Sequence, residues 1–283
     1  MKIAGIGDNV VDRYMNLGVM FPGGNAVNVA AHAAMLGADA AYVGSIGADR
    51  EGQIIKNALE SLGVDLSQCI FEADSTTKKC DVNIYENERE FLGIDIGTKW
   101  AHTTDITEGD LEYLKDFEVI HTSCNAKLHE EIYKLNVLEG MITFDFSVKD
   151  KYRTEDFLKM TCPYLELGQF SCDNMKEEEI KDFLRMVHGY GCKNVLATMG
   201  SRGSLFYNGT VFVKGEADYV EAVDTLGAGD SFLAALMVFL VEGGWKKGDG
   251  LKEELIAKAL EFAAKYSSKN CLVEGGFGFK ERF

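Results

Sequence analysis

The sequence predicts an α/β fold with a mostly parallel central sheet, because strand-like and helical segments alternate along the chain. Apolar runs at 2–7 and 40–47 have the pattern of core strands. Each is followed by a helical pattern, at 26–36 and 52–62, that a glycine closes. Strands joined by helical crossovers run parallel to one another. The first half of the chain therefore predicts strand–helix units of a parallel sheet.

A β-hairpin pattern interrupts this alternation at about 77–96. Together with a mixed stretch at about 10–20, the hairpin is expected to form a small sheet outside the core. The chain contains no clear linker, internal repeat or low-complexity segment. Residues 1–283 are therefore expected to form a single domain into which these outer strands are inserted.

The alternation then resumes. Helices are predicted at 108–115, 128–138 and 251–269, and strands at 117–121, 141–146, 164–169 and 194–198. A glycine-containing turn, Thr198-x-Gly200-x-x-Gly203, follows the last of these strands. The pair Asn208-Gly209 then predicts a type I′ hairpin.

A helix buried on most sides is predicted from the uniformly apolar run 232–241, which Gly243 and Gly244 end. Gly227, Ala228 and Gly229 precede this run. The first N–H groups of a helix have no partner within it, and the helix dipole favours negative charge there. Glycine also lets the backbone approach a ligand closely. The stretch therefore predicts an anion site at the start of the helix.

Asp230 lies at the same helix start, where the dipole favours its ionised form. A carboxylate beside an anion site is suited to take the proton of a hydroxyl that attacks a bound phosphoryl group. The simpler interpretation of a lone aspartate at such a position is a helix cap. The surrounding glycine-rich stretch favours the catalytic interpretation.

Two longer motifs resemble the signatures of a known family. Residues 224–232 read Asp-Thr-Leu-Gly-Ala-Gly-Asp-Ser-Phe, and residues 21–30 read Phe-Pro-Gly-Gly-Asn-Ala-Val-Asn-Val-Ala. Both resemble the signatures of the ribokinase-like (PfkB) sugar kinases, in the expected order. The opening at 6–12 and the run Phe-Asp-Phe-Ser at 144–147 are similar to the bacterial fructoselysine 6-kinase branch of that family.

The resemblance implies a three-layer α/β/α sandwich with a small β-sheet lid, which in some members is also a dimer contact. It implies ATP and Mg²⁺ as cofactors and the 6-hydroxyl of fructoselysine as the phosphoryl acceptor. The residues that it assigns are Asp230, Gly227, Ala228 and Gly229 for catalysis, Asp8, Gly24, Asn25 and Asn28 for the sugar, and Thr198, Gly200, Gly203 and Asn270 for the nucleotide. Asn25 is in addition expected to cap the helix that it opens.

The sequence departs from this family where many members have Asn-x-x-Glu just after a strand. Gly168 to Asp173 occupy that place, and the literal Asn174-x-x-Glu177 comes a few residues too late. Acidic residues in a first helical turn need no metal. Mg²⁺ is therefore expected on the nucleotide, and no protein ligand is assigned to it.

Arg89, near the turn of the hairpin, is a candidate partner for the carboxylate that fructoselysine carries. A solvated turn charge is the simpler interpretation of this arginine. The lid and a few side chains at its rim set the choice of sugar, so fructose, ribose, a phosphorylated ketose or a nucleoside remain alternative acceptors.

The composition limits the class of partner. The net charge of −16 argues against nucleic acid and anionic membranes. No apolar run of about 18 residues is present, and the N-terminus lacks a signal-peptide pattern, so a cytoplasmic location is expected. The seven cysteines have no zinc-site spacing and are expected to be reduced.

Two other nucleotide-binding classes lack their motifs in this sequence. A P-loop would need lysine where Gln53 follows Gly52, and a dinucleotide fingerprint would need a third glycine after Gly7. A non-catalytic sugar or nucleotide sensor on the same fold is a further alternative. Asp230 favours the enzyme, because a binding protein gains nothing from an acid placed against a triphosphate.

Overall fold

The computed structural model describes residues 1–85, 88–98 and 105–283. The α-helices are α1 (Asn25–Met35), α2 (Arg50–Ser61), α3 (Glu108–Leu114), α4 (Glu155–Thr161), α5 (Glu177–Gly189), α6 (Ala228–Glu242) and α7 (Glu253–Asn270). The strands are β1 (Lys2–Ile6), β2 (Val10–Tyr14), β3 (Val19–Gly23), β4 (Asp39–Val43), β5 (Ser45–Gly47), β6 (Ile70–Glu72), β7 (Lys79–Tyr85), β8 (Glu88–Asp95), β9 (Val119–Ser123), β10 (Met141–Asp145), β11 (Leu167–Ser171), β12 (Asn194–Thr198), β13 (Ser204–Tyr207), β14 (Phe212–Gly215) and β15 (Glu281–Arg282).

Eight strands form the central sheet, in the order β14-β13-β12-β11-β10-β9-β1-β4. The six strands from β12 to β4 run parallel, whereas β13 and β14 add an antiparallel hairpin at one edge. The predicted mostly parallel sheet is therefore confirmed. Parallel strands end at the same edge of the sheet, so the loops after β1, β9, β10 and β11 lie side by side.

Side chains of the central strands alternate between two apolar layers. Ile3 and Met141 point into the layer that contains α1, α6 and α7, and Ala4 and Ile142 point into the layer on the opposite face. Because both faces are covered by helices, the strands are apolar throughout rather than alternating in polarity. The result is a three-layer α/β/α sandwich.

Helix α6 is buried along most of its length, as its uniformly apolar sequence predicts. Ten of its residues are buried, and it packs between α1 and α7. Gly227 caps its start with a left-handed φ of 70°, and Gly243 caps its end. This burial fixes the first turn of α6 relative to the strand ends.

A second sheet lies outside the sandwich, with the strand order β15-β3-β2-β7-β8. Its strands come from the two stretches that the sequence marks at about 10–20 and 77–96, with β15 added from the C-terminal end of the chain. Tyr14, Val19, Phe21 and Val82 form a small apolar cluster on it. Large apolar side chains along β8 are exposed instead, among them Phe91, Leu92 and Ile94.

The predicted helix at 128–138 is wrong. The structure has a 3₁₀-helix at Ile132–Val137, and tight bonds such as Glu131 N–H to Leu128 O support the turns before it. Leu128, Ile132 and Leu135 are buried, so the apolar spacing that suggested an α-helix is present. A spacing of three to four residues fits a chain of tight turns as well as an α-helix.

The predicted type I′ hairpin at Asn208-Gly209 is also wrong, because four residues separate β13 and β14. The Asn208 side chain accepts hydrogen bonds from the N–H groups of Thr210 and Val211, at 3.0 and 2.9 Å. A side chain that bonds the backbone after it stabilises a wider turn. Within the described ranges, no helix is long and apolar enough to cross a membrane.

Replacing Leu236 with alanine tests the burial of α6. Leu236 is fully buried, so truncation is expected to lower the free energy of unfolding by about 2–5 kcal/mol. Val137→Ala is the control, since this valine is 74% exposed and its truncation is expected to change stability by less than about 0.5 kcal/mol. Denaturant unfolding of both variants measures the difference, and equal losses would contradict the assigned burial.

Candidate active site

The candidate site lies where the C-terminal ends of β1, β9 and β10 meet the first turns of α1 and α6. This is the edge at which open α/β sheets bind ligands. Asp8 follows β1, Ser123 ends β9 and Asp145 ends β10. Asn25 opens α1, and Asp230 lies in the first turn of α6. The structure therefore brings together residues that are more than 200 positions apart.

Asp230 is buried and held by two asparagines. Asn25 Nδ2 donates to Asp230 Oδ1 at 2.9 Å, and Asn28 Nδ2 donates to Asp230 Oδ2 at 2.7 Å. The Asp230 side chain is therefore fixed by neighbouring turns of α1. Its role as a simple helix cap is not supported, since the cap of α6 is Gly227.

Asp145 forms a carboxylate pair with Asp230, and Asn25 bridges the two. The same Asn25 Nδ2 that reaches Asp230 also donates to Asp145 Oδ2 at 2.9 Å. Burial raises the pKa of Asp230 to about 7, and repulsion from Asp145 adds to this increase. Burial likewise raises the pKa of Asp145 to about 6. A carboxyl group with a pKa near neutrality is suited to proton transfer at physiological pH.

The helix dipole was expected to keep Asp230 ionised, but in the structure other effects on its carboxyl group outweigh the dipole. Burial and a second carboxylate disfavour the charged form more strongly than the start of α6 favours it. A dipole effect is worth up to about 2 kcal/mol in partly buried sites. The sequence does not show Asp145 as a neighbour, so its influence on Asp230 could not be predicted.

Asp8 supports the turn that opens α1. Its Oδ2 accepts from the Asn25 N–H at 3.2 Å, and its Oδ1 accepts from Ser123 Oγ at 2.9 Å. Gly24, rather than Asn25, is the cap of α1, so the predicted capping role of Asn25 is wrong. Gly24 has a φ of 109°, and a Cβ there would lie 2.8 Å from the Asp8 carbonyl oxygen. Only glycine fits this turn.

Asp12 belongs to the same pocket, although the sequence analysis gave it no role. A Cβ on Gly23 would lie 3.3 Å from Asp12 Oδ2 and 3.7 Å from Asn28 Oδ1, so these oxygens share one small space. Asn28 Oδ1 is buried and has no hydrogen-bond partner among the described residues. A buried acceptor without a partner is suited to a ligand hydroxyl. The sequence did contain a signal for Asp12, because an aspartate follows two valines at the start of β2.

The glycine turn before α6 presents backbone N–H groups. Ala228 N–H makes a long 3.3 Å bond to Thr225 O, and Gly227 and Gly229 stand at the helix start, where N–H groups have no partner within the helix. A Cβ on Gly227 would lie 2.8 Å from Gly276 O, so this position accepts only glycine. The turn is therefore open to an anionic ligand.

A cleft of about 620 Å³ leads away from this turn. Its walls include Ala228 and Gly229 at one end and the predicted nucleotide residues Thr198, Gly200 and Gly203. Ala264 and the exposed Tyr219 also line it, and the sequence analysis did not mention Tyr219. The cleft has the volume of a cofactor site.

Asn270 lies apart from the cleft wall. Its Nδ2 donates to Gly276 O at 3.0 Å, and the side chain is buried behind the C-terminal turn. Its neighbour Cys271 lines the cleft instead. The structure therefore brings together the predicted nucleotide residues with the exception of Asn270.

Asp224 connects the glycine turn to two other segments. Its Oδ1 accepts from Leu226 N–H, and its Oδ2 accepts from Tyr14 Oη at 2.6 Å and from Gly275 N–H at 2.9 Å. Tyr14 belongs to the outer sheet and Gly275 to the turn after α7. One carboxylate therefore holds together the outer sheet, the glycine turn and the C-terminal turn.

No group of three or more histidine, cysteine, aspartate or glutamate side chains within the described ranges is placed to hold a metal ion. Glu177, the end of the late Asn-x-x-Glu sequence, pairs with Lys181 and Lys214 at 3.2 Å each. A glutamate with two lysine partners is a surface ion pair rather than a metal ligand.

A buried carboxylate beside an anion-binding turn is the arrangement that phosphoryl transfer to an alcohol requires. The family model described as pfkB family carbohydrate kinase matches residues 8–277. The fructosamine kinase FrlD of Bacillus subtilis is 32% identical over 99% of this chain and 94% of its own length. The fructoselysine 6-kinase of Escherichia coli is 29% identical over 93% of this chain and 96% of its own length.

Among solved structures, the aminoimidazole riboside kinase of Salmonella enterica superposes with a TM-score of 0.78 at 21% identity, over 99% of this chain and 96% of its own. The chain belongs to the pfkB family of carbohydrate kinases. The resemblance carried by the two motifs is thus confirmed, and the structural match confirms the ribokinase-like fold.

The carboxylate pair predicts a pH dependence. A protonated Asp230 cannot accept a proton, so kcat/KM for the sugar is expected to fall as the pH drops below about 7. Asp145→Asn removes a repelling charge and should move this acid limb to lower pH. Asp182→Asn is the control, since the Asp182 side chain is 82% exposed. An acid limb that Asp145→Asn leaves in place would contradict the coupling.

Proposed function

We propose that this kinase transfers the γ-phosphoryl group of ATP to the 6-hydroxyl of fructoselysine or a closely related fructosamine. One observation carries the proposal: the buried Asp230 lies between a pocket of amide and carboxylate groups and the cleft that begins at Gly229. The fructosamine substrate is supported by the names of the two curated relatives that the chain matches over almost its whole length.

In the proposed reaction, Asp230 accepts the proton of the sugar hydroxyl as its oxygen attacks the γ-phosphorus. The new O–P bond forms while the bond between the γ-phosphorus and the ADP oxygen breaks, and the negative charge leaves with ADP. The amides of Gly227, Ala228 and Gly229 stabilise the transferring group. Because these N–H groups are fixed by the buried helix α6, they need no reorganisation during the reaction.

The sugar is proposed to bind between α1 and the outer sheet. Asp8, Gly24, Asn25 and Asn28 shape this pocket, and Asp12 contributes a further carboxylate from β2. The outer sheet, formed by the strands at about 10–20 and 77–96, is proposed to act as the lid of a single kinase domain. A lid excludes water that would otherwise accept the phosphoryl group.

ATP is proposed to occupy the cleft, with its phosphates toward Gly229 and the turn at Thr198, Gly200 and Gly203. Asn270 acts indirectly, by holding the turn at Gly276. Mg²⁺ bound to the triphosphate would neutralise phosphate charge. The nucleotide itself is proposed to carry the metal. ATP as cosubstrate fits the expected cytoplasmic location.

The direct test is ATP turnover by the purified protein with Mg²⁺ and fructoselysine, fructose, ribose, fructose 1-phosphate or adenosine. Turnover is expected to be highest with fructoselysine. Asp230→Asn should lower kcat by about 10²–10⁴-fold, because proton transfer is lost, while ATP binding measured by calorimetry is retained. Asp182→Asn again serves as the exposed control.

Each other outcome has a distinct meaning. Higher turnover with another acceptor would keep the mechanism and replace the substrate. ATP binding without turnover of any sugar would favour the sensor alternative. Near-normal activity of Asp230→Asn would remove the proton acceptor from the mechanism.

A homodimer through the outer sheet is also proposed. Phe91, Leu92 and Ile94 expose apolar surface along the edge strand β8, and an exposed apolar edge strand favours pairing with another chain. Ile94→Lys is therefore expected to shift a dimer toward monomer in light scattering after gel filtration. Val137→Lys, at an exposed position outside this sheet, should leave the mass unchanged. A monomeric unmodified protein would refute the proposal.

A further inference from the structure

Two lysines lie beside the proposed sugar pocket, in a region otherwise rich in carboxylates. Lys78 immediately precedes β7, and its backbone oxygen accepts from the Val11 N–H at 2.9 Å. The next residue, Lys79, points toward Asp49 and Asp95, at 3.8 and 3.5 Å. Successive side chains of a strand point to opposite faces, so Lys78 faces the other way.

Lys78 lies on the inner face of the outer sheet, together with Asp12. In the pairing of β2 with β7, Val11 lies opposite Lys79 and Asp12 lies opposite Cys80. Asp12 and Lys78 therefore project on the same side. Burial lowers the pKa of Lys78, and the charge of Lys149 lowers it further, whereas the charges of Asp8 and Asp12 oppose this decrease. Lys78 thus lies close to the pocket carboxylates and to a second lysine.

Lys149 approaches the same pocket from the segment after β10. Its Nζ donates to Asn125 Oδ1 at 2.8 Å, and Asn125 Nδ2 donates to Asn25 Oδ1 at 2.8 Å. Asn25 in turn contacts Asp230. A short chain of hydrogen bonds therefore joins Lys149 at the exposed rim to the proton acceptor in the interior.

A neutral sugar does not need this pair of cations, since amides and carboxylates satisfy hydroxyl groups. Two ammonium groups that repel each other are stabilised by an anion bound between them. From this arrangement we propose that Lys78 and Lys149 bind the carboxylate of an amino acid linked to the sugar. The preferred substrate is then a fructosamine of an amino acid, rather than a free sugar or a fructosamine of a simple amine.

This inference rests on the proposed function and specifies its substrate class. The sugar end that accepts phosphate lies at Asp230, so the linked amine extends toward the rim, where Lys149 is exposed. Arg89 was the candidate for this carboxylate in the sequence, but its side chain lies outside the described part of the structure. The simpler alternative is that Lys78 only offsets the charges of Asp8 and Asp12.

The experiment compares fructoselysine with 1-deoxy-1-butylaminofructose, which has the linked amine but no carboxylate. The unmodified enzyme should prefer fructoselysine. In Lys78→Met and in Lys149→Met, the ratio of kcat/KM for the two substrates is expected to fall by about 10- to 100-fold, because a charged hydrogen bond is lost. The loss should appear as a higher KM for fructoselysine, and Lys78→Arg should restore part of the preference.

Lys79→Met is the matched control, because this lysine adjoins Lys78 in sequence but faces Asp49 and Asp95. It should leave the ratio unchanged. Equal effects of Lys78→Met on both substrates, or none, would overturn the carboxylate subsite and support charge compensation. If the unmodified enzyme phosphorylates neither fructosamine but accepts another sugar, the proposed function fails first.

Discussion

The buried pair of Asp145 and Asp230, bridged by a single amide of Asn25, is the constraint on which the rest of the site depends. Burial raises the pKa of both carboxyl groups above their ordinary values, to about 6 and about 7. The folded protein therefore holds protons that the unfolded chain releases, and this contribution to stability is lost as the pH rises through those values. Above those pH values the surrounding scaffold must compensate for keeping two ionised groups close together.

The scaffold meets this demand by fixing the pair from several directions. Asp145 ends a fully buried strand, and Asp230 lies in the first turn of a helix that is packed on most sides. Asn25 is placed between them by a turn that only glycine at position 24 can form. Asp8 holds the backbone of that turn. The position of Asp230 is thus determined by core packing rather than by surface loops.

Features encoded locally could be predicted from the sequence, and features that arise from tertiary contact could not. The burial of α6 and its glycine turn follow from consecutive residues, and Asp8, Asn25 and Asp230 follow from motifs. Three other features depend on how distant strands meet. They are the influence of Asp145 on Asp230, the approach of Asp12 to Asn28, and the side of the outer sheet on which Lys78 lies. The segment 128–138 was misassigned because its apolar spacing fits two kinds of helix. The hydrogen bond from the Asn270 side chain to Gly276 could not be predicted either, because it depends on how the C-terminal turn folds back onto α7.

The carboxylate of Asp224 has a consequence for how such enzymes are redesigned. It joins Tyr14 of the outer sheet to the backbone at the glycine turn before α6 and to Gly275 in the turn after α7. Grafting the outer strands of a relative onto this chain would therefore also change a contact to the glycine turn before α6. A chimera that keeps a tyrosine at position 14 retains that link. An exchange of outer strands in this fold thus has to carry over the anchoring side chain together with the strands.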